Sequence, residues 1–184
     1  FNLSLKALVQ WRDTLDEVGR IGRELRMIDE FLLEGDAYQF ERVTRGKKLD
    51  WDLASVCGPR AVLFFALDLD YVPDPDEKVF KFAPPRKATW EFQLPVYLQG
   101  VKDVFRLDAD GVHDVEWALK DRSVQICEEA NRVAVYLATP DDRLRSAIEE
   151  KRQHLIASEA ALEFDPARND ADFQQLVQLS ETLQ

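Results

Sequence analysis

The chain has 184 residues, enough for one domain of ordinary size or a domain with helical extensions, and 46% of them are apolar, so a sizeable core is expected. Twenty-four basic residues against 35 acidic ones leave a net charge of −11, a field that repels phosphate backbones and anionic lipid. Nucleic acid and membrane are therefore not expected as partners, and no apolar run approaches the ~20 residues of a transmembrane helix.

From Leu8 the apolar residues Leu8, Trp11, Leu15, Val18, Ile21, Leu25, Ile28 and Leu32 recur in steps of three and four. That spacing predicts one amphipathic helix of about 40 Å, ended by Gly35-Asp36. Gly19 and Gly22 inside it are expected to let a partner element come close. The period then shortens. "AYQFERVT", "DWDLASVC" and "RAVLFFALDLDY" read as strands separated by Gly46 and Gly58-Pro59, and "KVFKF" and "ATWEFQL" follow. Val62–Leu67 is apolar without alternation, so both its faces should be covered, one by an opposite sheet and the other by the long helix.

Residues 101–138 predict a four-stranded antiparallel meander. A three-residue turn at Ala109-Asp110-Gly111 would pair Phe105 with Val115, Leu107 with His113 and Arg106 with Asp114. Turns at Asp121-Arg122 and Glu129-Ala130 would pair Leu119 with Val124 and Ile126 with Val133. These registers put Phe105, Leu107, Val115, Trp117, Leu119, Val124, Ile126, Val133, Val135 and Leu137 on one apolar face, and Tyr136 on the other. After Thr139, a good N-cap followed by Pro140, a helix carries Leu144, Ile148, Leu155 and Leu162. "FDPARND" breaks it, and a last helix bears Phe173, Leu176, Val177 and Leu183. The expected fold is α+β: a mostly antiparallel β-sandwich over residues 37–138, a long N-terminal helix over 1–36, and two C-terminal helices over 139–184. The first segment could be the end of a preceding domain.

The residues that could carry chemistry are few. His113 and Asp114 are neighbours on a strand and point to opposite faces, so they cannot form a dyad with each other. His113 is expected at the rim of the apolar face. Asp68, Asp70, Asp74, Asp76 and Glu77 fall within ten residues, and the four aspartates are the candidate ligands should a calcium ion be held. Charged loops of this kind are commonly just solvated, and no metal or other cofactor is expected. "DADGVHD" begins like a calcium loop, but Leu119 stands where the bidentate glutamate belongs. Thirty-five acids guarantee chance pairs, and no GxSxG, P-loop, HExxH or GxGxxG occurs, so no catalytic residue is assigned. Trp51, Tyr71, Tyr97 and Tyr136 are the candidate sugar-stacking aromatics, whereas Trp90 and Trp117 fall on apolar faces and are assigned to the core. Cys57 and Cys127 could form one bridge, but two reduced, buried thiols are expected. Because the chain starts at Phe1 without a methionine or leader-like segment, it is expected to be part of a longer or processed protein.

The stretch "ADGVHDVEWALKDRSVQICEEANRVAVYLAT" resembles the close of the C-terminal β-sandwich domains of barrel-type glycoside hydrolases. Val115-Glu116-Trp117, Ser123-Val124-Gln125-Ile126 and Val133–Leu137 stand in for their last three strands, with Ser123 where their turn has glycine. "LVQWRDTLDEVGRIGRELRMIDEFLLEGD" is similar to the final barrel-type helix that leads into such a domain. The helical tail after Thr139 departs from that pattern. The resemblance implies a non-catalytic accessory domain whose partner is the catalytic domain of the same polypeptide, and it carries over no catalytic residue. Two other readings stay open: an autonomous carbohydrate-binding module, and an interaction protein that dimerises through the N-terminal helix.

Overall fold

The computed structural model describes residues 12–77, 79–98, 100–161, 174, 175 and 178. Helix α1 (Arg12–Glu34) is followed by β1 (Asp36–Arg45), β2 (Lys48–Cys57), β3 (Val62–Asp68), β4 (Tyr71–Asp74), β5 (Val79–Phe82), β6 (Arg86–Gln93), β7 (Asp103–Asp108), β8 (Gly111–Asp114), β9 (Glu116–Lys120), β10 (Ser123–Ala130), β11 (Val133–Thr139) and helix α2 (Leu144–Ala160). The chain is thus α+β, with every strand pair antiparallel. Among the described residues two helices occur, where the sequence predicts three. Leu8 and Trp11 of the first predicted helix, and Leu162, Phe173, Leu176, Val177 and Leu183 of the C-terminal ones, lie outside the described residues.

Six strands form one sheet in the order β1-β2-β3-β11-β7-β8, three form a second in the order β6-β10-β9, and β4-β5 make a separate hairpin. Val62–Ala66 sits inside the larger sheet and is covered on both sides, as its apolar run requires, whereas Leu67 at the end of the run is exposed. Val62, Phe64 and Ala66 join a core with Trp90, Phe92, Val124 and Ile126 of the smaller sheet. Leu63 and Phe65 face the other way, into a second core with Met27, Ile28 and Phe31 of α1 and Leu144 and Ile148 of α2. Each large apolar side chain so buried contributes about 1.5–3 kcal/mol relative to exposure.

α1 stops where expected, and the reason is steric. A Cβ on Gly35 would come within 2.4 Å of the Phe31 carbonyl oxygen and 2.5 Å of Val56, so only glycine lets the helix end cross β2. Gly19 and Gly22, in contrast, have nothing within 4 Å of the place of a Cβ among the described residues.

The predicted meander is half right. β9 and β10 pair as expected, with Leu119 opposite Val124 and Trp117 opposite Ile126. The other two turns differ. β7 and β8 join through the two residues Ala109-Asp110, which sets Phe105 opposite Asp114 and Arg106 opposite His113. β10 and β11 do not pair: β11 lies between β3 and β7 in the larger sheet. The chain leaves that sheet at Val115, between β8 and β9, and returns to it at Arg132, which adopts a left-handed φ of 63°. The supposed single apolar face is therefore divided. Phe105, Leu107, Val135 and Leu137 face the helices, while Val115, Trp117, Val124 and Ile126 face the space between the sheets. Leu119 and Val133 are exposed.

The start of α2 also differs. Arg143, not Thr139, takes the cap position, with no side-chain cap bond. The Thr139 hydroxyl donates to the Arg60 carbonyl (2.9 Å) and accepts the Asp141 N–H (3.0 Å), closing the turn ahead of the helix.

Candidate functional site

His113 and Asp114 do point apart, but each has another partner. His113 Nε2 lies 2.8 Å from Asp108 Oδ1 across the β7–β8 hairpin, and Asp108 also accepts the backbone N–H groups of Asp110 and Gly111. His113 is half-buried and polar-bonded, not packed on an apolar rim. Asp114 accepts from Arg145 of α2 and not from Arg106, because the two-residue turn moves it opposite Phe105. Arg106 reaches instead across to Glu128 of β10 (2.7 Å), whose other oxygen accepts the Tyr136 hydroxyl (2.6 Å). Tyr136 is fully buried between the sheets, the reverse of its expected outward position. The cause is the register: β11 is central, so both of its faces are covered.

The acidic cluster does not converge. Asp68 is buried and receives two bonds from Arg86, at 2.8 and 2.9 Å. Asp70 pairs with Lys48. Asp74 caps its own loop by accepting the Asp76 and Glu77 N–H groups, both at 3.0 Å, and pairs with Lys81. Asp76 is exposed. Among the described residues no three His, Cys, Asp or Glu side chains gather closely enough to hold a metal ion. Each of the first three carboxylates has a basic neighbour, which already supplies the charge a cation would bring.

The four aromatic candidates divide in the same way. Trp51 and Tyr136 are core residues. Tyr71 is partly exposed on the β4–β5 hairpin, where it packs against Phe80 and Phe82. Tyr97 is exposed in the loop after β6. The four do not form one platform.

The strongest site geometry lies elsewhere. β1 is an edge of the larger sheet and β6 an edge of the smaller one. At one end these edges are tied: Tyr38 Oη reaches the Leu94 carbonyl (3.5 Å), and Gln39 bonds both Glu91 and Gln93 of β6. Beyond Gln39 a groove of about 470 Å³ separates them. Glu41, Val43 and Arg45 of β1, Trp51 and Leu53 of β2, and Lys87 to Glu91 of β6 line it.

Under the groove, Arg86 bridges Asp68 and Asp50 (2.8 Å to the latter) and lies over the Trp51 ring, 4.7 Å from its centroid. The hydrogen bonds to Asp68, with those to Asp50, hold the guanidinium pKa well above its ordinary value. Trp51 and Trp90 meet edge to face with centroids 5.0 Å apart. The indole N–H of each and the Arg86 Nε are buried without a hydrogen-bond partner among the described residues. Three unanswered donors in residues lining one groove are unusual, because buried polar groups are nearly always paired. Trp90 belongs to the core as expected, but its place at the groove was missed. Gln39, Arg86 and Thr89 were missed entirely. The only signal was the basic pair Arg86-Lys87 at the start of the strand that carries Trp90 and Phe92.

A second groove, of about 660 Å³, runs between α1 and the larger sheet, past Ile21, Leu25, Phe65 and Val133. Glu24 lies on it, and burial raises its pKa, with Asp108 adding to the effect. No family model matches this chain, and no curated protein matches it in sequence.

Proposed function

We propose that this chain is a non-catalytic β-sandwich accessory domain of a larger, carbohydrate-active enzyme of the glycoside hydrolase kind. The observation that carries the reading is the use made of its charged groups. Arg86 ties β6 to Asp50 and Asp68, Arg106 ties β7 to Glu128 of β10, and Arg145 ties α2 to Asp103 and Asp114. These are struts between elements far apart in sequence, as a rigid spacer or orienting domain needs. The Phe64–Phe92 contact between the two sheets supports the sandwich reading, and α1 presents Val18, Ile21 and Leu25 outward beside its buried face. That strip is the surface by which the domain packs on the catalytic domain of the same polypeptide. Sequencing the gene upstream of Phe1 tests the reading. Several hundred codons for alternating strands and helices, with paired acids at strand ends, are expected. A start codon or signal peptide directly before Phe1 would overturn it.

The same strip favours a second reading, dimerisation through α1. Ile21 and Leu25 are about half exposed, at 48% and 50%, in the middle of a helix whose next turn is buried. Light scattering that shows a monomer at high concentration eliminates this reading.

A further inference from the structure

We infer that the groove between β1 and β6 is a strand-addition site, which takes an extended polypeptide segment onto the free edge of β6. The first observation is what Gln39 does. Its side-chain Oε1 accepts the Gln93 N–H (2.8 Å) and its Nε2 donates to the Glu91 carbonyl (3.5 Å). One amide thus offers β6 an acceptor and a donor, as a residue of a neighbouring strand would.

Those bonds also fix which way the edge points. In an antiparallel pair, alternate residues turn both backbone groups to the same side. Gln93 N–H and Glu91 C=O point away from β10, so Thr89 and Lys87, two and four residues before Glu91, turn theirs the same way. That is where Gln39 stops and the groove opens. Thr89 and Lys87 are exposed, and among the described residues no further strand borders β6 on this side.

The lining of the groove supplies the chemistry. Trp51 and Trp90 are both 2% exposed, and their indole N–H groups, with the Arg86 Nε, lack acceptors. All three are donors. An incoming strand would pair its backbone with Thr89 and Lys87 and direct a side chain over the two indoles. These donors have no accessible surface of their own, so an acceptor side chain (Asp, Glu, Asn or Gln) answers them only where the indoles turn toward the groove on binding. Main-chain bonds then give affinity and the side chain gives selectivity, the usual division in strand addition. The inference does not depend on the accessory-domain reading, because it concerns only what the groove accepts.

The test selects a phage-displayed library of random dodecapeptides on the full chain and titrates the recovered peptides into ¹⁵N-labelled protein. Binding in roughly the micromolar range is expected, with shifts at the Thr89 and Lys87 amides and at the Trp51 and Trp90 indole signals. Thr89→Pro removes a groove-facing N–H without breaking a backbone bond to β10, although it loses the hydroxyl contact to Cys127, so it should fold and weaken binding roughly tenfold. Thr89→Val keeps the N–H and should bind as the parent does. If Thr89→Pro does not fold, the shift map of the parent protein decides alone. The inference is overturned if no peptide rises above background, if bound peptides shift another face, or if Thr89→Pro binds unchanged. Indole shifts produced by cello- or xylo-oligosaccharides in the absence of any binding peptide also overturn it, and assign the groove to sugar.

Discussion

Arg86 holds Asp68 through two parallel hydrogen bonds, 2.8 and 2.9 Å, and so locks the start of β6 to the end of β3. The carboxylate side chain has no exposed surface, and the guanidinium retains 17%. Neither charge could be stranded cheaply in that place. Removing one partner of a buried pair costs about 3–5 kcal/mol, whereas a matched apolar replacement of both can be nearly neutral. Asp68→Ala should therefore cost about 3 kcal/mol, since Asp50 still answers part of Arg86. The double variant Asp68→Leu/Arg86→Met should recover most of that loss. Urea unfolding of the three proteins measures it, and equal loss in the single and double variants would contradict the account.

Acid should loosen the contacts that α1 makes with α2 and with the β7–β8 turn. Asp29 of α1 bonds Lys151 of α2 at 2.7 Å, Glu159 of α2 bonds Arg23 of α1, and Asp110 in the β7–β8 turn bonds Arg20. Each carboxylate is held below its usual range, the hydrogen bond from its basic partner being the largest cause. A depressed folded pKa stabilises the fold above the unfolded value, near 4, and that contribution fades as pH falls through the folded value. The urea midpoint should hold from neutral pH to about pH 5 and drop below about pH 4. Lys151→Met should lower the midpoint at pH 7 and shrink the acid drop. An identical slope in parent and variant would show that Asp29 has no part in it.

Local pattern carried most of the elements but not their partners. The 3–4 spacing to Leu32, the shift to strand period after Gly35, and the Asp121-Arg122 turn all appear in the structure. The errors arose where two arrangements satisfy the same pattern. One apolar face on β10 and one on β11 fit a hairpin, yet they fit equally well two strands in different sheets that share a core. The burial of β11 on both sides distinguishes them: Ala134–Thr139 is buried without alternation, as a central strand must be. Tyr136 was misplaced for that reason alone. The groove was less legible still, because its parts come from β1, β2 and β6, and nothing local marks Gln39 as a bridge between edges.

The Tyr136 hydroxyl donates to Glu128 at 2.6 Å, inside the core shared by the two sheets. Burial, and then the bond to Glu128, push the phenol pKa far above its ordinary value. In an alkaline absorbance titration, Tyr136 should ionise only as the protein unfolds. Tyr136→Phe should remove that late step and no earlier one. The variant leaves Glu128 bonded to Arg106, so the loss of stability should be modest, about 1–2 kcal/mol. A loss above about 4 kcal/mol would mean that the hydroxyl does more than fill one acceptor.

The two cysteines are free thiols in different surroundings, so they should react at different rates. Cys57 is 6% exposed in the core shared by the sheets, and burial pushes its thiol pKa up to about 11. At neutral pH almost none of it is thiolate, the reactive form. Cys127 lies on β10, half-buried, with the Thr89 hydroxyl 3.6 Å from its sulfur. A disulfide-exchange reagent such as DTNB at neutral pH should therefore modify Cys127 first and leave Cys57 untouched until denaturant is added. Cys127→Ser should abolish the native-state reaction, and Cys57→Ser should leave it intact. Two thiols titrating together in the native protein would mean that the Cys57 end of β2 opens readily, and the tight closure that Gly35 permits there would then need another explanation.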